Sequence, residues 1–155
     1  MKLSKNFTLD EFLLSQTAAR HGIDNTPNAD QIENLRLLCE GCLQPLRDFV
    51  KRPIFISSGF RSWDLNSLIG GSKTSAHLSG NAADFVVAGQ TPLETCNLIV
   101  GLELPFDQCI HEFGRWVHLG VAHHLRKEEL TAYRKDGKTK YVFGFFSMEE
   151  LDDVR

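Results

Sequence analysis

The sequence predicts an α+β fold, in one domain spanning residues 1–155, with N-terminal helices packed on a small antiparallel sheet. Three observations carry that expectation. Apolar residues recur at helical spacing through "DQIENLRLLCEGCLQPLRDFV", at Ile32, Leu35, Leu38, Leu46 and Phe49. Short apolar or alternating runs suited to strands fall mostly later, in "PIFIS", "AADFVVAG", "DQCIHE" and "WVHLGV". Helices first and strands later is the order of an α+β chain rather than of repeated βαβ units.

The elements follow in order. Thr8-Leu9-Asp10-Glu11 reads as a capping box opening a short helix. "HGIDNTPNAD" is a turn-rich connector, and a long amphipathic helix runs from about Ala29 to Val50. Pro45 lacks an N–H and its ring crowds the preceding turn, so it kinks or splits that helix. Residues 53–57 form a strand. "SGFRSWDLNSLIGGSKTS" is a long loop with one helical turn, and "AADFVVAG" is the second strand. Thr91-Pro92-Leu93-Glu94 caps a helix over "PLETCNLIVGL", with proline at the first helical position. "DQCIHE" and "WVHLGV" are strands joined through Phe113-Gly114-Arg115. "TAYRKDGKTKYVF" is a hairpin around Asp136-Gly137, and Ser147 caps a last short helix.

Composition narrows the function. The chain is 42% hydrophobic and 24% charged, with a net charge of −3. That balance offers no basic footprint for nucleic acid and no polybasic patch for a membrane surface. No apolar run approaches the roughly 20 residues of a membrane span. "MKLSKNFTLDEF" lacks a secretory apolar segment, so the expected location as synthesised is the cytoplasm.

Cys39 and Cys42 form a CxxC, "CEGC". A redox pair normally opens a helix, where the N-terminus lowers the thiol pKa. This one sits mid-helix at core-facing positions, so packing is the expected role, with a thiol-redox protein as the competing class. Cys96 and Cys109 stand alone in a predicted helix and strand.

The chemistry collects in two places. In "DQCIHEFGRWVHLG", a three-residue loop pairs Glu112 with Trp116 and Ile110 with His118. Glu112, Trp116 and His118 then share one face, with Glu112 and His118 as diagonal neighbours roughly 7–8 Å apart at Cα. That separation suits one metal ligand and one general base. In "SAHLSGNAADF", His77 lies in a loop of small residues and Asp84 inside a strand, where a carboxylate is costly unless paired or bound to metal. Two histidines and a carboxylate make a catalytic zinc ligand set with one position left to water. From composition and spacing alone, a strand histidine is more often a satisfied core residue than a ligand, and a lone strand aspartate more often has another role, such as an arginine's partner. Trp116 serves equally as site wall or core. His111, of opposite parity, faces away. His123 and His124 are an exposed pair or line a cleft rim, and His21 has no evident partner.

"SSGFRSWDLNSLIGGSKTSAHLSGNAADF" followed by "WVHLG" resembles the zinc D-Ala-D-Ala metallopeptidase family. That family includes bacterial D-Ala-D-Ala carboxypeptidases, vancomycin-resistance dipeptidases and phage endolysin endopeptidases, and hedgehog domains share its fold. Ser75, His77, Gly80, Ala82 and Asp84 fill every defined place of its first motif, and residues 6–122 are similar to a phage-associated branch. The resemblance implies His77, Asp84 and His118 as zinc ligands and Glu112 as the base. Glu112 precedes the last histidine by six residues, as in the hedgehog-like domains. Many members place the acid three residues before it, where this chain has Arg115. It also implies Arg61 as a substrate-facing catalytic arginine and Ser75 as a substrate contact, with Trp116 beside them. The implied cofactor is Zn2+. The implied partners are peptidoglycan stem peptides, cut at a bond involving D-alanine by a monomer that reaches the wall after release. A catalytically inactive zinc module that binds cell-wall peptides is the alternative.

Overall fold

A computed structural model describes residues 1–122 and 124–154. The chain enters through a two-stranded hairpin, β1 (Lys2–Ser4) and β2 (Phe7–Thr8). No strand-like alternation in these few residues announces it. The capping box forms as expected: the Thr8 N–H donates to the Glu11 carboxylate at 2.7 Å and opens α1 (Leu9–Leu13). A further helix, α2 (Gln16–His21), is capped by Ser15.

The expected long helix is three consecutive segments. The first is α3 (Ala29–Leu38) and the last is α4 (Gln44–Val50). Between them Cys39–Leu43 widens into a π-turn, in which the Gln44 N–H donates to the carbonyl of Cys39, five residues back. Pro45 is the reason: it has no N–H to close the regular ladder, and a widened turn removes the clash of its ring with the preceding carbonyls. The expected break is therefore present and takes this particular form. Leu35, Leu38, Leu43 and Leu46 remain fully buried on one side of all three segments. Each such leucine contributes roughly 1.5–3 kcal/mol of apolar transfer free energy.

The sheet is built from β3 (Ile54–Ser58), β4 (Ala82–Val87), β5 (Gln108–Glu112), β6 (Trp116–Gly120), β7 (Glu128–Lys135) and β8 (Lys138–Phe143), in spatial order β3-β4-β6-β5-β7-β8. Three helices lie among or after these strands: α5 (Trp63–Leu68), α6 (Pro92–Gly101) and α7 (Met148–Val154). Strand parity divides the sheet. Ala83, Phe85, Val87, Cys109, Val117 and Leu119 point into the main core with the helices. Asp84, Ile110, Glu112 and His118 have the opposite parity and occupy the other face.

The pairing is antiparallel except between β5 and β7, which run parallel. The seven-residue link 121–127 therefore crosses the beginning of β5 instead of closing a hairpin. Asp107 anchors that crossing. Its carboxylate accepts from the Arg126 backbone N–H at 3.0 Å and from Arg126 Nε and Nη2 at 2.9 Å each, and its carbonyl accepts from the Glu128 N–H at 2.9 Å. The Arg126 hydrogen bonds hold the Asp107 carboxyl below its usual range. A depressed folded pKa contributes stability that is present above the unfolded value of about 4 and is lost as pH falls through the folded value. Arg126 is largely exposed, so solvent screens the pair. Asp107→Asn is expected to cost about 1 kcal/mol at pH 7. The gap to wild type should narrow below about pH 4, as read by urea unfolding at several pH values.

Cys39 and Cys42 are fully buried free thiols. Burial raises both, Cys42 to about 12 and Cys39 further, the reverse of an activated redox pair. Cys96 and Cys109 are neighbours in the core: the Cys96 thiol, together with burial, raises Cys109 well above its usual value. Cys39→Ala and Cys42→Ala should each lower the unfolding free energy by about 1–2 kcal/mol. In wild type these thiols should react with a thiol reagent only once denaturant opens the core.

Candidate metal centre and its cleft

His77 is held by its backbone before its ring is considered. Ser75 Oγ accepts from the His77 N–H at 3.3 Å and opens a 3₁₀ turn, Ala76–Ser79. From α3, Gln31 Nε2 donates to the Leu78 carbonyl at 3.1 Å and Asn34 Nδ2 to the Ser79 carbonyl at 2.8 Å. Gly80 ends the turn at φ +78°, where any Cβ would also collide with the Gln31 carbonyl. The turn is thus clamped to the long helix.

The ring is fixed from the other side. His77 Nδ1 lies 2.6 Å from the Gly59 carbonyl oxygen. A carbonyl only accepts, so the proton sits on Nδ1 and the lone pair on Nε2. Gly59 is there because α1 presses on it: a Cβ at Gly59 would stand 2.6 Å from the Phe12 carbonyl oxygen. His77 Nε2 is buried and has no hydrogen-bond partner among the described residues, yet lies 3.3 Å from Asp84 Oδ1. Two electron-pair donors face each other with no proton between them.

Asp84 on β4 is paired directly across the sheet with His118 on β6. His118 Nδ1 lies 2.9 Å from Asp84 Oδ1. Burial pushes the Asp84 carboxyl up, but its two imidazole neighbours, His77 and His118, outweigh burial and hold it well below its usual range. Burial lowers His77 more than Asp84 raises it, so that imidazole stays neutral. Burial also opposes protonation of His118, but the Asp84 hydrogen bond and charge raise it overall. One ligand atom from each of His77, Asp84 and His118 lies within 4.8 Å of the other two. The donor set suits a divalent cation: two nitrogens, one carboxylate oxygen, an unpartnered lone pair and a backbone carbonyl orienting one imidazole.

Glu112 Oε1 lies 3.8 Å from His118 Nδ1, outside hydrogen-bond distance. Its other oxygen accepts from the Trp116 indole N–H at 2.9 Å. Burial pushes its carboxyl up to about 7, with help from the charge of Asp84 and against that of His118. The Glu112–Trp116 register is the one expected from the hairpin. Trp116 does not line the cleft beside the His–Asp–His cluster. Its indole fastens Glu112, and its ring packs edge-on to Phe113 at 5.6 Å.

That cleft, about 520 Å³, is lined by Arg61, Ser75, His77, Asp84, Glu112 and His118, among others. Arg61 is steered by a residue the sequence does not single out: Asn66, buried in α5, accepts from Arg61 Nη1 at 3.2 Å. Arg61 Nε is buried with no partner among the described residues. Burial lowers its pKa against the raising effects of Asp84 and Glu112. Tyr141 from β8 also reaches the cleft. The only sequence signal for Asn66 is a polar residue on the inner side of a one-turn helix. For Tyr141 there is none, because its position depends on the crossing before β7. His111 points to the opposite face, its Nδ1 2.9 Å from the Phe146 carbonyl oxygen. His124 is exposed, His21 is exposed at the end of α2, and His123 lies outside the described residues.

The family profile of peptidase M15 matches residues 5–120, more than half of the chain. The chain belongs to the peptidase M15 family. M15 enzymes are zinc-dependent metallopeptidases, and the match contains His77, Asp84, Glu112 and His118. A search of curated proteins finds no match. Among the described residues no helix is long and apolar enough to cross a membrane.

If His77, Asp84 and His118 hold a zinc, expected at about one per chain, His77→Ala should remove most of it, because it deletes the donor with a preset tautomer. Metal analysis of purified wild type and variant reads this directly, and equal zinc in both would refute the ligand assignment.

Proposed function

We propose that this M15 chain is a zinc peptidase that hydrolyses a bond involving D-alanine in bacterial peptidoglycan stem peptides. It acts as a carboxypeptidase or as an endolysin-type endopeptidase, and we infer a phage or prophage origin. The observation that carries the catalytic reading is the Glu112 carboxylate. It lies beside the His77–Asp84–His118 cluster, 3.8 Å from His118 Nδ1 and so without a direct hydrogen bond to it, and burial pushes its pKa up to about 7.

The residues divide the work. His77, Asp84 and His118 would hold the zinc, which would supply a Lewis acid and lower the pKa of water toward ~7. Glu112 takes a proton from the attacking water and returns it to the leaving amine nitrogen. Trp116 keeps one carboxylate oxygen of Glu112 occupied and so aims the other at the reaction. Arg61, with an unpartnered Nε, holds a substrate carboxylate or the developing oxyanion. Ser75 lines the same cleft and contacts the peptide. The chain acts as a monomer and needs neither nucleic acid nor membrane.

Glu112→Gln should keep its zinc and lose roughly 10²–10⁴-fold in turnover, since the amide preserves volume but accepts no proton. His111→Ala is the matched control, adjacent in sequence but on the other face, and should retain most of the rate. Mass spectrometry of muropeptides incubated with each protein is the readout. Intact muropeptides with zinc-loaded wild type would favour a peptide-binding module without catalysis. Full turnover by Glu112→Gln would place the base elsewhere.

A further inference from the structure

The family match ends at residue 120, but the cleft does not. The hairpin β7–β8 lies wholly beyond it and sends one side chain back to the site. Register locates that side chain. Trp116 pairs with Glu112, Glu112 with Ala132, and Ala132 with Tyr141, so these four form one row across β6, β5, β7 and β8. Cross-strand partners share a face, which puts Tyr141 on the side of Glu112. Strands about 4.8 Å apart place its Cα roughly 10 Å from that of Glu112, and only the methyl group of Ala132 stands between them in the row. A tyrosine ring spans most of that distance, and Tyr141 lines the cleft.

The order of the sheet then assigns a side of the substrate. Arg61 follows β3, at one edge. Asp84 and His118 come next, on β4 and β6, then Glu112 on β5. Tyr141 is on β8, at the far edge. A base that hands its proton to the leaving amine has that nitrogen beside it. A group beyond Glu112, on the side away from the metal ligands, therefore meets the chain that follows the scissile bond. The Tyr141 hydroxyl has no hydrogen-bond partner among the described residues. Burial and the charge of Glu112 both raise its pKa, so it stays a neutral O–H donor.

We propose that Tyr141 is a substrate-contacting residue of this cleft, its hydroxyl donating to a carbonyl or carboxylate oxygen on the leaving-group side of the scissile bond. The proposal rests on the peptidase reading and adds to it a wall supplied by the C-terminal hairpin. Tyr141→Phe removes the hydroxyl and keeps the ring. In steady-state hydrolysis of a D-Ala-terminated stem peptide, kcat/KM should fall about tenfold, the loss of one substrate hydrogen bond. Zinc content and melting temperature should match wild type. A kcat/KM within twofold of wild type overturns the proposal, as does a loss matched by an equal loss of zinc. An inert wild type is a different result: it removes the peptidase reading and this contact with it.

Discussion

The hydrogen bond between His77 Nδ1 and the Gly59 carbonyl decides the character of the site. It commits one imidazole to a single tautomer and turns its lone pair toward a carboxylate, an arrangement suited to a bound cation. Much of the N-terminal half serves that one contact. α1 packs so tightly on the end of β3 that residue 59 must be glycine, and α3 clamps the turn that carries His77. Neither helix contributes a ligand. Both set where His77 points, the kind of outer support that metal-binding imidazoles receive.

The rest of the cluster depends on sheet register. Asp84 and His118 are direct partners and Glu112 is diagonal to His118, so a shift of one residue in either strand would send a ligand into the apolar core. Local periodicity defines such registers well, and this explains what was legible in the sequence. The capping box at Thr8, the Thr91 cap, the break at Pro45, the Glu112–Trp116 pairing and the placement of His111 on the face opposite Glu112 all follow from patterns a few residues long. The motif from Ser75 to Asp84 and the residues around "WVHLG" were specific enough to identify the family.

What stayed hidden depends on contacts between distant segments. Nothing near Glu128 says that β7 will lie parallel to β5. Asp107 and Arg126, which fasten the crossing that leads to that pairing, are far apart in sequence. Tyr141 inherits its place from the same event, and its approach to Glu112 is invisible without it. Asn66 is a similar case, a buried amide whose role is to steer Arg61. Trp116 was legible as a neighbour of Glu112, but whether its ring or its N–H mattered was not.

The crossing also has a temporal consequence. The β5–β6 hairpin closes through a three-residue loop, so its contacts are local and cheap in chain entropy. β7 reaches β5 by a connection that passes the open end of that hairpin, a longer closure than the three-residue loop. Pairings of this kind are slow relative to hairpins. During folding, Glu112 therefore acquires Trp116 well before it acquires the β7–β8 wall. A nascent chain would pass through a stage in which the proton-handling carboxylate is already oriented while the far side of the cleft is still open to solvent.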